Sequence, residues 1–262
     1  MRSTYAPILA LLLILGCVTS AKAEVPKELR VCGDLAEFPP FTYFVRNETQ
    51  ISQVVAGYNI DVLNEVLATS NRSAIVTLLP WKRCQAVAAQ GQYDIVLDIS
   101  KAPVREHDFA FTKVVYTLNT IYIYSMERPE PIINSTDDFK RFSFCIPIGW
   151  ELTQFNIPVK SITGQPYSSK QAIEMLKVGR CDVAIYYKEL LRGDRLIGSG
   201  GILNDPKIKY KLVPGLPKPE FFMAVSRALP YSDDLVQLLN SGIEQMKKTG
   251  EEERLLRLYN LR

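Results

Sequence analysis

The stretch DISKAPVREHDFAFT, Asp98 to Thr112, sets one arginine, Arg105, just past an apolar run and just ahead of two phenylalanines. A guanidinium in that place has two possible uses. It is a solvated turn charge, or it is a planar fork of N–H donors that grips a carboxylate through paired hydrogen bonds. The same stretch carries His107, the one histidine of the chain. A hydrolytic triad needs a general base held beside a nucleophile. No G-x-S-x-G elbow is present, so His107 reads as part of a charged turn. With one histidine and no C-x-x-C pair, neither a metal nor a cofactor is expected. GDRLIGSGG, from Gly193, is glycine-rich but lacks the lysine and hydroxyl pair of a phosphate loop, and reads as a flexible loop.

The ends and the charge narrow the setting. MRSTYAPILALLLILGCVTSAKA has a basic start, an apolar centre and a small-x-small ending at Ala21 and Ala23, the pattern of a secretory signal peptide over residues 1–23. A lipid anchor at Cys17 is the alternative to cleavage after Ala23. Removing the leader takes Arg2 and Lys22 and no acid, so the formal net charge falls from +3 to +1. That balance argues against a nucleic-acid partner, which a concentrated basic stripe would mark. Cys32, Cys84, Cys145 and Cys181 remain, an even set that in an oxidising compartment makes two disulfides by any of three pairings. Sequons at Asn47, Asn71 and Asn134 matter only in a glycosylating host.

The elements that must position Arg105 come from a repeat. GQYDIVLDI from Gly91 and GRCDVAIYY from Gly179 each follow an amphipathic segment, WKRCQAVAAQ from Trp81 and SSKQAIEMLKV from Ser168. Glycine just past a helix accepts the left-handed turn that stops it, and the aliphatic run behind it reads as a buried strand. Ser168 or Ser169 is the expected cap of the second helix, and Asn59 that of YNIDVLNEVLATSN. Asp94 and Asp182 recur in the repeat and read as structural turn formers. Each half opens on a cysteine-bearing strand, LRVCGD at Leu29 and FSFCIPIG at Phe142. Strands alternating with helices predict an α/β fold with parallel sheets. Two such units predict two lobes, 24–122 plus 223–262 and 126–218, joined by crossings at TIYIYS and PEFFMAVSRA. A cleft between hinged lobes is a favoured ligand site. This layout selects Cys32–Cys84 and Cys145–Cys181, because the other pairings would staple the lobes together.

LRVCGDLAEFPPFTYF, GYNIDVLNEV, PWKRC, GQYDIVLDIS and VREHDFAFT together resemble the family 3 extracellular solute-binding proteins of amino-acid ABC transporters. The resemblance spans nearly the whole mature chain and is weaker in the second lobe. It implies a two-lobed periplasmic binding protein of type II, monomeric, that delivers a small carboxylate ligand to an ABC-transporter permease. It implies a carboxylate grip at Arg105 with Ser100, aromatic packing from Trp81 and Phe38, and an acid at Asp34. In the second lobe the family's ammonium-binding aspartate is replaced by Tyr187, preceded by Tyr186, with Glu189 the nearest acid. Its anion loop is replaced by GWELT, which brings Trp150 and Glu151. An ordinary α-amino acid and a deaminated or aromatic acid therefore both stay open as ligands. A dehydratase-like enzyme, with Glu37, Glu151 or Glu189 as proton donor, and a sensor or accessory module are the alternative functions.

Overall fold

The computed structural model describes residues 23–47, 50–151, 155–198 and 204–262. Nearly all of the expected leader, with Cys17, lies outside them, as do Leu152 and Thr153 of the GWELT loop. Among the described residues no helix is long and apolar enough to cross a membrane.

The first sheet is built from β1 (Glu28–Asp34), β4 (Ser73–Leu79), β5 (Ile95–Ser100), β6 (Phe109–Phe111), β7 (Tyr116–Thr117) and β13 (Glu220–Ser226). Its order is β4-β1-β5-β13-β6, with β7 also on β13. The second sheet holds β8 (Thr120–Ser125), β9 (Phe144–Cys145), β10 (Ile162–Gly164), β11 (Val183–Tyr187) and β12 (Ile208–Leu212), in the order β10-β9-β11-β8-β12. A hairpin of β2 (Tyr43–Asn47) and β3 (Gln50–Ala56) stands apart. Within each sheet the consecutive strands are parallel, and the strand arriving from the other sheet is antiparallel: β13 against β5, and β8 against β11. Each sheet with its helices forms one lobe of an α/β fold.

The helices follow the expected stops and depart at one start. Helix α2 (Trp81–Ala89) ends before Gly91 at φ +75°, and α4 (Ser169–Lys177) before Gly179 at φ +80°. The Ser168 hydroxyl caps α4 by accepting from the Gln171 N–H at 3.2 Å. Asn59, however, is not the cap of α1 (Tyr58–Ala68); Gly57, at φ +131°, is. A β-carbon there would lie 2.8 Å from the Pro40 carbonyl oxygen. Only glycine lets the chain come so close that the Tyr58 and Asn59 N–H groups donate to the Pro40 and Phe41 carbonyls at 2.9 and 3.0 Å. The helix start needs no side-chain acceptor, and Asn59 is released for another task. The buried face of α1, including Leu63, Val66 and Leu67, packs on α6 (Ser232–Thr249), whose Leu235, Leu239 and Ile243 are buried. GDRLIGSGG is also more ordered than expected at its start. Gly193 closes α5 (Lys188–Gly193) and Asp194–Ile197 forms a short 3-10 helix, while residues 199–203 lie outside the described ones.

Asp94 and Asp182 are structural, as expected. Asp94 accepts from the Arg30 N–H at 2.7 Å and from the Tyr231 hydroxyl at 2.8 Å, and Asp182 accepts from the Ser143 N–H at 2.9 Å. Asp94 thus tethers β1, and Asp182 the residue that leads into β9. The disulfides are Cys32–Cys84 and Cys145–Cys181, each inside one lobe, with sequence separations of 52 and 36. Loops of that length give a chain-entropy stabilisation of about 4 kcal/mol per bridge. The paired Cys32→Ala, Cys84→Ala variant is expected to lose about 2–4 kcal/mol in urea denaturation.

Candidate functional site

The lobes meet at the carboxyl ends of β1, β5 and β11, where parallel strands leave a crevice. Arg105 enters it from α3 (Pro103–Glu106), a single turn that Pro103 starts directly behind β5. Its side chain is buried. Nη1 donates to the Ser100 carbonyl at 2.7 Å and to the Ser100 hydroxyl at 2.9 Å. Nη2 crosses to the other lobe and donates to the Gly149 carbonyl at 3.0 Å. The same carbonyl accepts from Trp81 Nε1 at 3.1 Å. The guanidinium carbon lies 5.9 Å from the Trp81 ring centroid, a cation–π arrangement. Burial lowers the Arg105 pKa, opposed by the charge of Glu151. Arg105 is therefore a cleft residue.

Around it the structure gathers Asp34, Phe38, Trp81, Ser100, Trp150, Glu151 and Tyr187, all considered from sequence, and adds Asp98 and Phe221. Tyr187 stacks on Trp150 at 5.4 Å and meets Phe38 and Phe221 edge-on at 6.1 and 5.5 Å. Phe221 continues into a column with Tyr116 and Phe41, at 5.1 and 4.0 Å between centroids. Tyr186 does not reach the cavity. Neighbours on a strand point to opposite faces, and the Tyr186 hydroxyl instead donates to Asp194 at 3.2 Å. Glu189 is likewise elsewhere: its two oxygens accept from the Asn119 N–H and side-chain amide, at 2.9 and 2.6 Å, beside the crossing. Glu37 is taken by Arg46 at 2.6 Å. Of the three glutamates considered from sequence, Glu151 alone lines the cavity. His107 is exposed and faces Asp108 at 2.7 Å.

Two aspartates sit in this wall. Asp34 ends β1, and its Oδ1 accepts from the Ala36 N–H at 3.0 Å. Burial, with a smaller push from Asp98, raises its pKa from 3.8 to about 7. The folded protein therefore holds a proton on Asp34 between those values that the unfolded chain has lost. Stability should fall as pH rises through that window, by at most about 1.4 kcal/mol per pH unit from this group. Asp34→Asn should flatten the slope between pH 5 and 7, measured by urea denaturation of the ligand-free protein. Asp98, on β5, was missed from sequence. Its signal was an acid breaking the apolar run IVLDIS. Phe221 left no such mark, because it opens the uniformly apolar run FFMAV.

The cavity is small, about 40 Å³, against roughly 150 Å³ for an engineered cavity that takes up benzene. Three side chains of one lobe and a carbonyl of the other already contact one another across it. The site is thus a closed two-lobed clamp with an arginine and an aromatic wall.

Comparison with known proteins agrees with that architecture. The bacterial extracellular solute-binding proteins, family 3, match residues 29–261. No curated protein sequence matches the chain. Among solved structures, the amino-acid ABC transporter substrate-binding protein AbpA from Streptococcus pneumoniae, bound to L-arginine, is 17% identical with a TM-score of 0.71, over 89% of this chain and 94% of that one. A histidine kinase sensor domain similar to periplasmic binding proteins is 16% identical with a TM-score of 0.68, over 89% and 96%. The ancestral amino acid-binding protein AncCDT-1, a precursor of cyclohexadienyl dehydratase, is 16% identical with a TM-score of 0.66, over 89% and 95%. At such identities the likeness carries the two-lobed fold, while the family match runs through both lobes. The chain belongs to the bacterial extracellular solute-binding proteins, family 3.

Proposed function

We propose that the protein captures a small carboxylate-bearing solute, an amino acid or related organic acid, between its lobes for ABC-type uptake. The observation that carries this reading is the buried Arg105 fork, aimed across the cleft at Gly149 with Ser100 behind it. A ligand carboxylate would take the place of the Gly149 carbonyl on Nη2. Phe38 and Trp81 would pack its body from one side, and Trp150 and Tyr187 would close from the other. The tight cleft supports a cycle in which the lobes part to admit the ligand and close on it.

Sheet membership supports lobes of roughly 24–118 plus 219–262 and 120–213, a small shift from the sequence expectation. The crossings lie side by side, the Leu118 N–H donating to the Pro219 carbonyl at 3.1 Å. Such a paired hinge is short enough to bend as one. Export by the leader would place the chain in the periplasm, where as a monomer it would present the closed form to a permease.

A thermal-shift screen of the chain from Glu24 tests the reading. The panel is α-amino acids, their deaminated analogues, and aromatic and dicarboxylic acids. A true ligand at a hundred times its dissociation constant stabilises the fold by about 2.7 kcal/mol, several degrees in a protein of this size. No shift with any carboxylate removes the proposal.

A further inference from the structure

We infer that Glu189 is a positioning residue of lobe closure: it clamps Asn119 to the second lobe, so that the lobes turn about the single link between Leu118 and Asn119. The inference rests on the two-lobed fold and is independent of the ligand.

The first crossing is very short. β7 ends at Thr117 on the first sheet and β8 begins at Thr120 on the second, leaving Leu118 and Asn119 between them. Leu118 is anchored to the first lobe. It is fully buried, and its N–H donates to the Pro219 carbonyl at 3.1 Å, next to the pairing of Thr117 with Glu220. Asn119 is anchored to the second lobe. Its N–H donates to Glu189 Oε2 at 2.9 Å, its side-chain amide donates to Glu189 Oε1 at 2.6 Å, and its carbonyl accepts from the Lys188 N–H at 2.9 Å.

This exchange serves both sides. Helix α5 starts at Lys188 directly behind β11, and Tyr187, at its cap position, gives no side-chain acceptor. The first N–H groups of a helix need acceptors from outside it, and the Asn119 carbonyl provides one for Lys188. Glu189 returns two charged acceptors, which bind N–H donors more strongly than neutral ones. Asn119 is therefore held as a part of α5, although in chain order it stands between the lobes.

Two anchors on adjacent residues leave little to bend. The peptide bond between them is planar, so the soft rotations are ψ of Leu118 and φ of Asn119. The second crossing, residues 214–218, is longer and runs outside both sheets. It can follow a turn whose axis the first crossing sets. Tyr187 belongs to the same rigid unit, since it pairs with Thr120 on β8. Closing about this axis would bring its ring to Phe38 and Phe221 along one path. Glu189 does not line the cavity; it acts through Asn119.

Spin-label distance measurement on the ligand-free chain from Glu24 tests this, with labels at Ile75→Cys and Val178→Cys. Both residues are exposed, one on β4 of the first lobe and one just behind α4 of the second. With Glu189 intact, a fixed axis gives narrow distance maxima, whether the lobes stand open, closed or in both states. Glu189→Ala should replace them by a broad distribution at little change in melting temperature. It should also speed hydrogen exchange of the Asn119 backbone amide about tenfold to a hundredfold, the worth of a hydrogen bond to a charged group, and leave that of Leu118 unchanged. Glu189→Gln keeps one oxygen acceptor and should restore much of the narrow distribution. Asn119→Ala removes only the side-chain donor; it should broaden the distances in the same sense, and it stands in if Glu189→Ala does not fold. Distances as narrow as in the labelled parent overturn the inference, even where the Asn119 amide exchanges faster. A broad distribution with Glu189 intact overturns it without any further variant. Broadening accompanied by faster exchange along β8 and β11 overturns it as well, because the second lobe itself would have loosened.

Discussion

Arg105→Ala should weaken capture of the carboxylate ligand by about 2–5 kcal/mol, a factor of roughly thirty to several thousand. The size follows from burial. A charged fork held in a desolvated cleft by Ser100 meets an anion without first shedding water, and alanine leaves the anion with no partner. Arg105→Lys should recover only part of the loss, because an ammonium is a point charge that cannot reproduce two parallel N–H donors. The fold itself should barely change. Arg105 bridges to the other lobe through one carbonyl, and removing a buried cation relieves desolvation as it removes that bond. Calorimetry with the best ligand of the thermal screen gives the affinity, and melting of the ligand-free variant gives the stability. Wild-type affinity in Arg105→Ala would remove the anion grip from the mechanism.

Gly193→Ala should impair closure while leaving both lobes folded. Gly193 has ordinary helical angles, φ −65° and ψ −29°, so alanine suits its backbone. The obstacle lies across the lobe boundary. A β-carbon there would run into the Pro39 carbonyl and stand 2.5 Å from the Pro40 nitrogen, main-chain atoms that cannot swing aside. Relieving an overlap of this kind costs about 1–3 kcal/mol, and the cost falls on the closed form alone. The open form gains by the same amount, so ligand affinity should drop about five- to a hundredfold. Small-angle scattering with saturating ligand should show a larger radius of gyration than for the wild type. A variant that closes and binds normally would show that the two lobes do not approach at Gly193 in the bound state. Gly149→Ala is the harsher companion: Gly149 sits at φ +84°, and a β-carbon would be 3.0 Å from the Trp81 ring.

The elements themselves were legible along the chain because their causes are local. Gly91 and Gly179 stop helices by their own backbone freedom, and Ser168 caps one with its own hydroxyl. Aliphatic runs behind them had to be strands, and the alternation had to be α/β. Arg105, Trp81 and Ser100 were legible through the family pattern around them, and the disulfides through the requirement that the lobes stay free to move. What failed or was missed depended on groups far apart in sequence. Asn59 looked like a cap until the approach of Pro40 and Phe41 to Gly57 supplied the acceptors. Glu189 looked like a ligand group until Asn119 took both of its oxygens. Tyr186 and Tyr187 were indistinguishable until the pairing of β11 decided which ring faced the cleft.

Asp98 marks the boundary between the two kinds of information. The sequence by itself determined that an acid interrupts a buried strand, because one-dimensional apolarity makes it conspicuous. Its direction depended on an unequal pairing with β13, more than a hundred residues away. Burial and partner choice are sums over such distant neighbours, so the tertiary structure alone decided which charges share the cleft.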